Sequence, residues 1–167
     1  MSPQPADYPS SAQAEAAGAP PGQCRLVSSS AELSEHFAIR RQVFVEEQAM
    51  FAGSDRDGPD DDPATLHVIG LWDGHPAGTV RLYPLDDRGL WKGDRLAVLR
   101  ASRSNRLGEL LVRFAVRSAG ERGGVRMVAH IQPPNVAFFE HLGWRPVGDP
   151  VHYVGRPHQQ MDISLAR

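Results

Sequence analysis

The chain has a single cysteine, Cys24, so it cannot form an internal disulfide, and this usage suits a reducing compartment, with the cytoplasm as the expected location. It has no run near the roughly 20 apolar residues that a membrane span requires, so no membrane association is expected. Neither sign of charge dominates: 18 Lys and Arg stand against 20 Asp and Glu, a net charge of -2. Such a balance gives no reason to expect nucleic acid or an anionic surface as partner. Residues 1–23 contain no Lys or Arg and no apolar stretch, so they do not read as a secretory signal. They carry Pro3, Pro5, Pro9, Pro20 and Pro21 among small polar residues. A segment of that composition buries too little surface to offset its ordering entropy, and a disordered tail over 1–23 is expected.

What is present fits one folded domain over residues 24–167. The chain has 167 residues, 41% of them hydrophobic and 23% charged, which suits a single core. Cys24 to Val27 reads as a first strand. Ser29 followed by Glu32 fits a capping box, and Leu33, Phe37 and Phe44 recur at helical spacing, so a helix is predicted over Ala31 to Glu47. Asp55 to Pro63 reads as a loop whose acids stay in solvent. Leu66 to Trp72 and Gly78 to Tyr83 read as a hairpin around the turn pair Asp73-Gly74. A strand over Asp94 to Leu99 follows. Leu107, Leu110, Leu111, Phe114, Ala115 and Ser118 then mark one face of a helix that Gly120, Gly123 and Gly124 bring to a stop. Val125 to Ile131 is a strand and Asn135 to Leu142 a short helix, with Gly143 after it. Met161, Ile163 and Leu165 alternate with polar residues in a closing strand. The order predicts an α/β (α+β) domain on one central sheet.

The most informative stretch is Val98 to Leu111, where a strand ends, a polar turn follows, and an amphipathic helix begins near Asn105. N–H groups at a helix start lack partners and carry partial positive charge, which makes an anion site. Arg100, Arg103, Arg106 and Arg113 stand there against Glu109 alone, and Gly108 permits close approach of a ligand. The plainer alternative is a solvated helix start with scattered arginines. The glycine spacing is neither a Walker loop nor a dinucleotide fingerprint.

Arg103-Ser104-Asn105-Arg106-Leu107-Gly108 resembles the coenzyme A loop of the Gcn5-related N-acetyltransferases, with Arg106 in place of the first glycine. That substitution requires a negative φ at Arg106 or a side chain that reaches a phosphate. Asp94 to Val98 is similar to that family's central strand, and Asn135 to Trp144 to its later Asn-aromatic-Leu-Gly segment. Ile39 to Gln48 and Gly155 to Met161 resemble the ElaA-like branch, so the likeness covers roughly residues 25–167. It implies a mixed, mostly antiparallel sheet flanked by helices. It also implies acetyl-CoA as co-substrate, a small-molecule amine acceptor, direct acyl transfer by a monomer or homodimer, and no metal. The coenzyme A contacts it implies are Leu96, Ala97, Val98, Arg103, Ser104, Asn105, Arg106, Leu107, Gly108, Glu109, Asn135 and Phe139.

Direct transfer needs a base for the amine, a donor for the oxyanion and, for the leaving thiolate, an acid. The backbone at Leu96 to Val98 is the implied oxyanion donor. Phe139 stands where many members carry a tyrosine acid and cannot donate a proton, which leaves Tyr153 or His141. Base candidates are Glu46, Glu47 and His158, with Asp94 and His67 also weighed. The bland alternatives are a solvated helix end for the glutamates, a turn histidine for His158, a core histidine for His67, a strand aromatic for Tyr153 and a surface helix residue for His141. Arg40, Arg41 and Arg81 bind an acidic acceptor group or pair at the surface with the Asp55–Asp62 loop. Two other functions stay open. Arg41, Phe44, the acidic loop and Arg81 are also similar to acyl-homoserine lactone synthases, although Met50-Phe51 stand where those carry a Trp. Phe139 suits a non-catalytic acyl-CoA sensor.

Overall fold

The computed structural model describes residues 19–165. The tail expected over 1–23 lies outside them as far as residue 18; Gly22 and Gln23 belong to the first strand. The strands are β1 (Gly22–Leu26), β2 (Leu66–Trp72), β3 (His75–Pro84), β4 (Leu90–Val98), β5 (Arg126–Ile131), β6 (Arg145–Pro146), β7 (Val151–Tyr153) and β8 (Arg156–Ser164). The helices are α1 (Ser30–Arg40), α2 (Leu107–Glu121) and α3 (Val136–His141). One sheet runs β1-β2-β3-β4-β5-β8-β6, with β7 on β8. Neighbours are antiparallel except β4 and β5, which run parallel. The mixed, mostly antiparallel sheet flanked by helices is therefore as expected.

The helix predicted to Glu47 has the right extent and an unexpected pitch. Residues Arg41–Glu47 form a π-helix, a wider turn found often beside functional sites. At its start Ser29 Oγ accepts from the Glu32 N–H at 3.1 Å. The reciprocal half of the capping box is displaced by one residue: the Glu32 carboxylate accepts from the N–H of Ser28, not Ser29, and from the Ser28 hydroxyl. Those two bonds and Arg25 bring Glu32 down to about 2.

α2 lies on one face of the sheet and α1 on the other. Gly70 and Gly78 are cross-strand partners beneath α2, and a Cβ on Gly78 would stand 2.8 Å from Leu111 Cδ1. Their missing side chains let Leu107 and Leu111 settle into the sheet, where both are fully buried. Each contributes about 1.5–3 kcal/mol.

β4 is the irregular strand. It starts at Leu90, earlier than the predicted Asp94, and its register against β3 slips between the Thr79–Ala97 and Arg81–Asp94 pairs. At the slip Arg95 has φ +53, a left-handed backbone on a residue that gains nothing from it. Thr79 Oγ1 donates to the Arg95 carbonyl at 2.9 Å and pins the bulge. Bulges bend a strand, and β4 pairs with β5 only through Leu90–Lys92 before the two diverge.

The loop after α1 departs from expectation. Asp55 and Asp60 are not in solvent; Asp55 is 3% exposed and the Asp60 side chain 1%. Arg40 and Arg81 do not pair at the surface either, since both are wholly buried. Arg40 bonds Asp55 and Asp60 at 2.7 Å each. Arg81 bonds Asp94 at 2.7 Å and Asp57 besides, and Arg95 bonds Asp55 and Asp57 at 3.0 and 3.1 Å. Arg41 alone stays exposed, beside Glu46. Burial by itself would raise the Asp60 carboxyl, but His67 and Arg40 hold it far below its ordinary value. Burial would lower Arg81, and its bonds to Asp94 and Asp57 more than compensate. His36 Nδ1 donates to the Val68 carbonyl at 2.9 Å and its Nε2 lies 3.3 Å from Arg40. Burial and that guanidinium hold His36 down to about 3, so it is neutral.

Candidate active site

Two openings meet where β4 and β5 part. The first is a cleft of about 480 Å³ at the start of α2, lined among others by Val98, Arg103, Asn105, Arg106, Gly108 and Glu109. The second is a cavity of about 120 Å³ in the gap itself. Leu96, Asn135 and Phe139 line both, so the two adjoin.

The cleft is built as an anion cradle. Arg106 caps α2 with φ -87 and no side-chain cap bond, so an arginine replaces the expected glycine without backbone strain. Asn105 Oδ1 takes the Leu107 N–H at 3.0 Å, and the Arg106 carbonyl takes that of Leu110. The N–H groups of Gly108 and Glu109 find no partner among the described residues. A Cβ on Gly108 would make only ordinary contacts, 3.8 Å to Phe138 and 3.9 Å to Val98. Gly108 thus leaves space rather than satisfying a special backbone shape. Arg100 and Arg106 are well exposed beside it.

Of the twelve predicted cofactor contacts, nine line the cleft: Leu96, Val98, Arg103, Asn105, Arg106, Gly108, Glu109, Asn135 and Phe139. Ala97, Ser104 and Leu107 do not. Ala97 packs on the α1 side with Ile39, Val43 and Phe44, Leu107 is in the main core, and Ser104 is exposed.

The predicted catalytic residues divide in the same way. Glu46 is exposed and faces Arg41. Glu47 is tied to Arg103, with Nη2 to Oε2 at 2.8 Å, and that bond holds its carboxyl below the ordinary value. Neither glutamate lines the cavity. Asp94 does, but its carboxylate is engaged by Arg81, and His67 is bonded to Asp60 at 3.0 Å. His141 is exposed at the end of α3.

His158 and Tyr153 both line the cavity, on paired strands β7 and β8. Their rings meet edge to face with centroids 5.3 Å apart. His158 Nδ1 lies 2.9 Å from the Arg156 carbonyl. A carbonyl only accepts, so Nδ1 donates, and in the neutral ring the lone pair falls on Nε2.

Two further residues complete the group and were not singled out from sequence. His130 stacks on Tyr153 with centroids 4.5 Å apart, and its Nδ1 is buried without a partner among the described residues. Burial, then Lys92 and His158, lower its pKa. Lys92, the only lysine in the chain, donates to the Tyr153 hydroxyl at 3.3 Å. The available signal was a lone titratable residue inside the apolar run Met127–Ile131.

Residues 31–144 match the sequence model of the acetyltransferase (GNAT) family. The chain belongs to this family. A Bacillus subtilis protein named as a candidate acetyltransferase is 30% identical over 142 residues, 82% of this chain and 92% of that protein. A candidate N-acetyltransferase from Lactobacillus plantarum superposes with a TM-score of 0.76 at 25% identity, over 87% of this chain and 99% of the other. Escherichia coli ElaA shares the fold, with a TM-score of 0.73 at 23% identity over 84% of this chain and 97% of its own.

Proposed function

We propose that the protein transfers an acyl group from acyl-CoA, with acetyl-CoA as the family's donor, directly to a primary amine of a small acceptor. The observation that carries this reading is that the two openings adjoin. An anion cradle at the start of α2 shares Leu96, Asn135 and Phe139 with a cavity that holds a histidine whose Nδ1 is bonded to the backbone.

The cradle fits the diphosphate of coenzyme A by its free N–H groups, its arginines and the space over Gly108. Bound there, acyl-CoA supplies a thioester carbonyl open to attack by a neutral amine. The edge of β4 beyond Lys92 has no ladder partner on the β5 side, so backbone N–H groups near Leu96 to Val98 serve the oxygen as it gains charge. His158 Nε2 takes the proton from the amine. Tyr153 receives its hydrogen bond from Lys92, which leaves the hydroxyl proton free for the departing sulfur. A thiol of pKa about 8.5 needs little such help, which is why Phe139 at the junction does not argue against catalysis. The N–C bond forms as the C–S bond breaks, and the products are an amide and the free thiol. No helix among the described residues is long and apolar enough to cross a membrane, and we place the reaction in the cytoplasm.

The test is thiol release from acetyl-CoA over a panel of amines, paired with calorimetry on Gly108→Asp. Asp suits a helix start electrostatically, so the variant is expected to fold while losing at least 100-fold in coenzyme A affinity. Normal binding by a folded Gly108→Asp would move the cofactor elsewhere. Binding without thiol release from any amine would make the protein a sensor.

A further inference from the structure

The cavity is larger and more apolar than an acetyl group needs. Its α2-side lining comes from Val80, Val112, Ala115, Met127, Phe139 and Trp144, all members of the main core cluster. An apolar cavity of about 150 Å³ holds benzene; this one, its polar side included, is about 120 Å³. An acetyl methyl would leave most of it empty. Its position is decisive. Gly108, Val112 and Ala115 follow one another at helical spacing of four and three, so one face of α2 leads from the cleft into the lobe. The polar lining groups, among them His130, Gln132, Tyr153 and His158, come instead from the strands and from the segment after β5. The lobe exists because β4 and β5 part after Lys92, and the one carboxylate in the lining, Asp94, is already engaged by Arg81.

We propose that this lobe is an acyl-chain pocket and that the protein takes a saturated acyl group of about four to six carbons in preference to acetyl. The inference rests on the proposed acyl-CoA reading and names its donor. Each methylene moved from water into such a lining is worth about a fourfold gain in affinity, so several together outweigh losses from imperfect fit.

Calorimetry on the full chain with coenzyme A, acetyl-CoA, butyryl-CoA and hexanoyl-CoA tests it without needing the acceptor. Butyryl-CoA or hexanoyl-CoA is expected to bind at least tenfold more tightly than acetyl-CoA. Ala115→Leu narrows the lobe and shifts the preference toward shorter chains. Met127→Ala widens it and shifts the preference toward longer ones, so one variant suffices if the other fails to fold. Acetyl-CoA binding as tightly as the longer donors, or variants that weaken all donors equally, overturns the acyl-chain pocket and leaves the acyltransferase reading intact. Failure of coenzyme A and every thioester to bind overturns both.

Discussion

The two sides of β4 handle polar groups in opposite ways. On the α1 side Arg40, Arg81 and Arg95 are buried, and each is matched by carboxylates from Asp55, Asp57, Asp60 or Asp94. In the gap toward β5, His130 Nδ1 lacks a partner among the described residues, and His158 is bonded through Nδ1 alone among them. Buried charge that is fully paired leaves nothing to offer a substrate, and removing one partner strands the other. An unpaired buried group is a standing cost, tolerated at sites that use it. On the proposed function the satisfied cluster is structural and the unsatisfied gap catalytic, even though the cluster holds more charge.

The largest effect expected from breaking that contrast is on the cluster. Arg81→Ala leaves Asp94 buried without its close guanidinium partner, and stability should fall by about 3–5 kcal/mol in denaturant titration. A loss below about 1 kcal/mol would show that water reaches the cluster. In the gap, His158→Ala should lower the turnover rate by about 10²-fold or more while acyl-CoA affinity changes little. Equal loss of affinity and turnover would make His158 a packing residue and move the base to His130.

The smallest effect is pH dependence within the cluster. His36 is held near 3 in the folded protein against an ordinary 6.5. Between those values the unfolded chain binds a proton that folded His36 refuses, so its contribution is complete above about pH 6.5 and declines as the pH falls. The slope should reach about 1.4 kcal/mol per pH unit. His36→Gln should flatten the stability curve between pH 6.5 and 4, measured by denaturant titration at each pH. An unchanged slope would assign acid sensitivity to the aspartates alone.

Much of the fold was legible because the signals are local. The spacing of Leu107, Leu111 and Ala115 marks a helix whatever it packs against, and Asp73-Gly74 marks a turn on its own. Nine of the twelve expected cofactor contacts line the cleft for the same reason: they cluster on one strand end, one turn and one short helix. Asp57, Asp61 and Asp62 are exposed as expected, but Asp55 and Asp60 were misread as solvated because their partners, Arg40, Arg81 and Arg95, lie up to 40 residues away in sequence. The left-handed Arg95 left no trace either, since its residue type has no preference for that conformation. Glu46 and Glu47 stood at the right place along the chain, but the π-helical turn and Arg103 settled where their carboxylates point.

Local sequence sets the strand and helix order, the arginine-bearing turn before α2 and, through those, the family. Each of these depends on residues within a few positions of one another. Only the tertiary structure decided that β4 bulges away from β5 and that His130, Tyr153 and His158 meet in the gap so created. Packing also buries the side chains of Arg40, Arg81, Arg95, Asp55, Asp60 and Asp94 beneath α1 or its loop. Register slips and buried charge pairs depend on which distant strands become neighbours, and no periodicity along one strand encodes that.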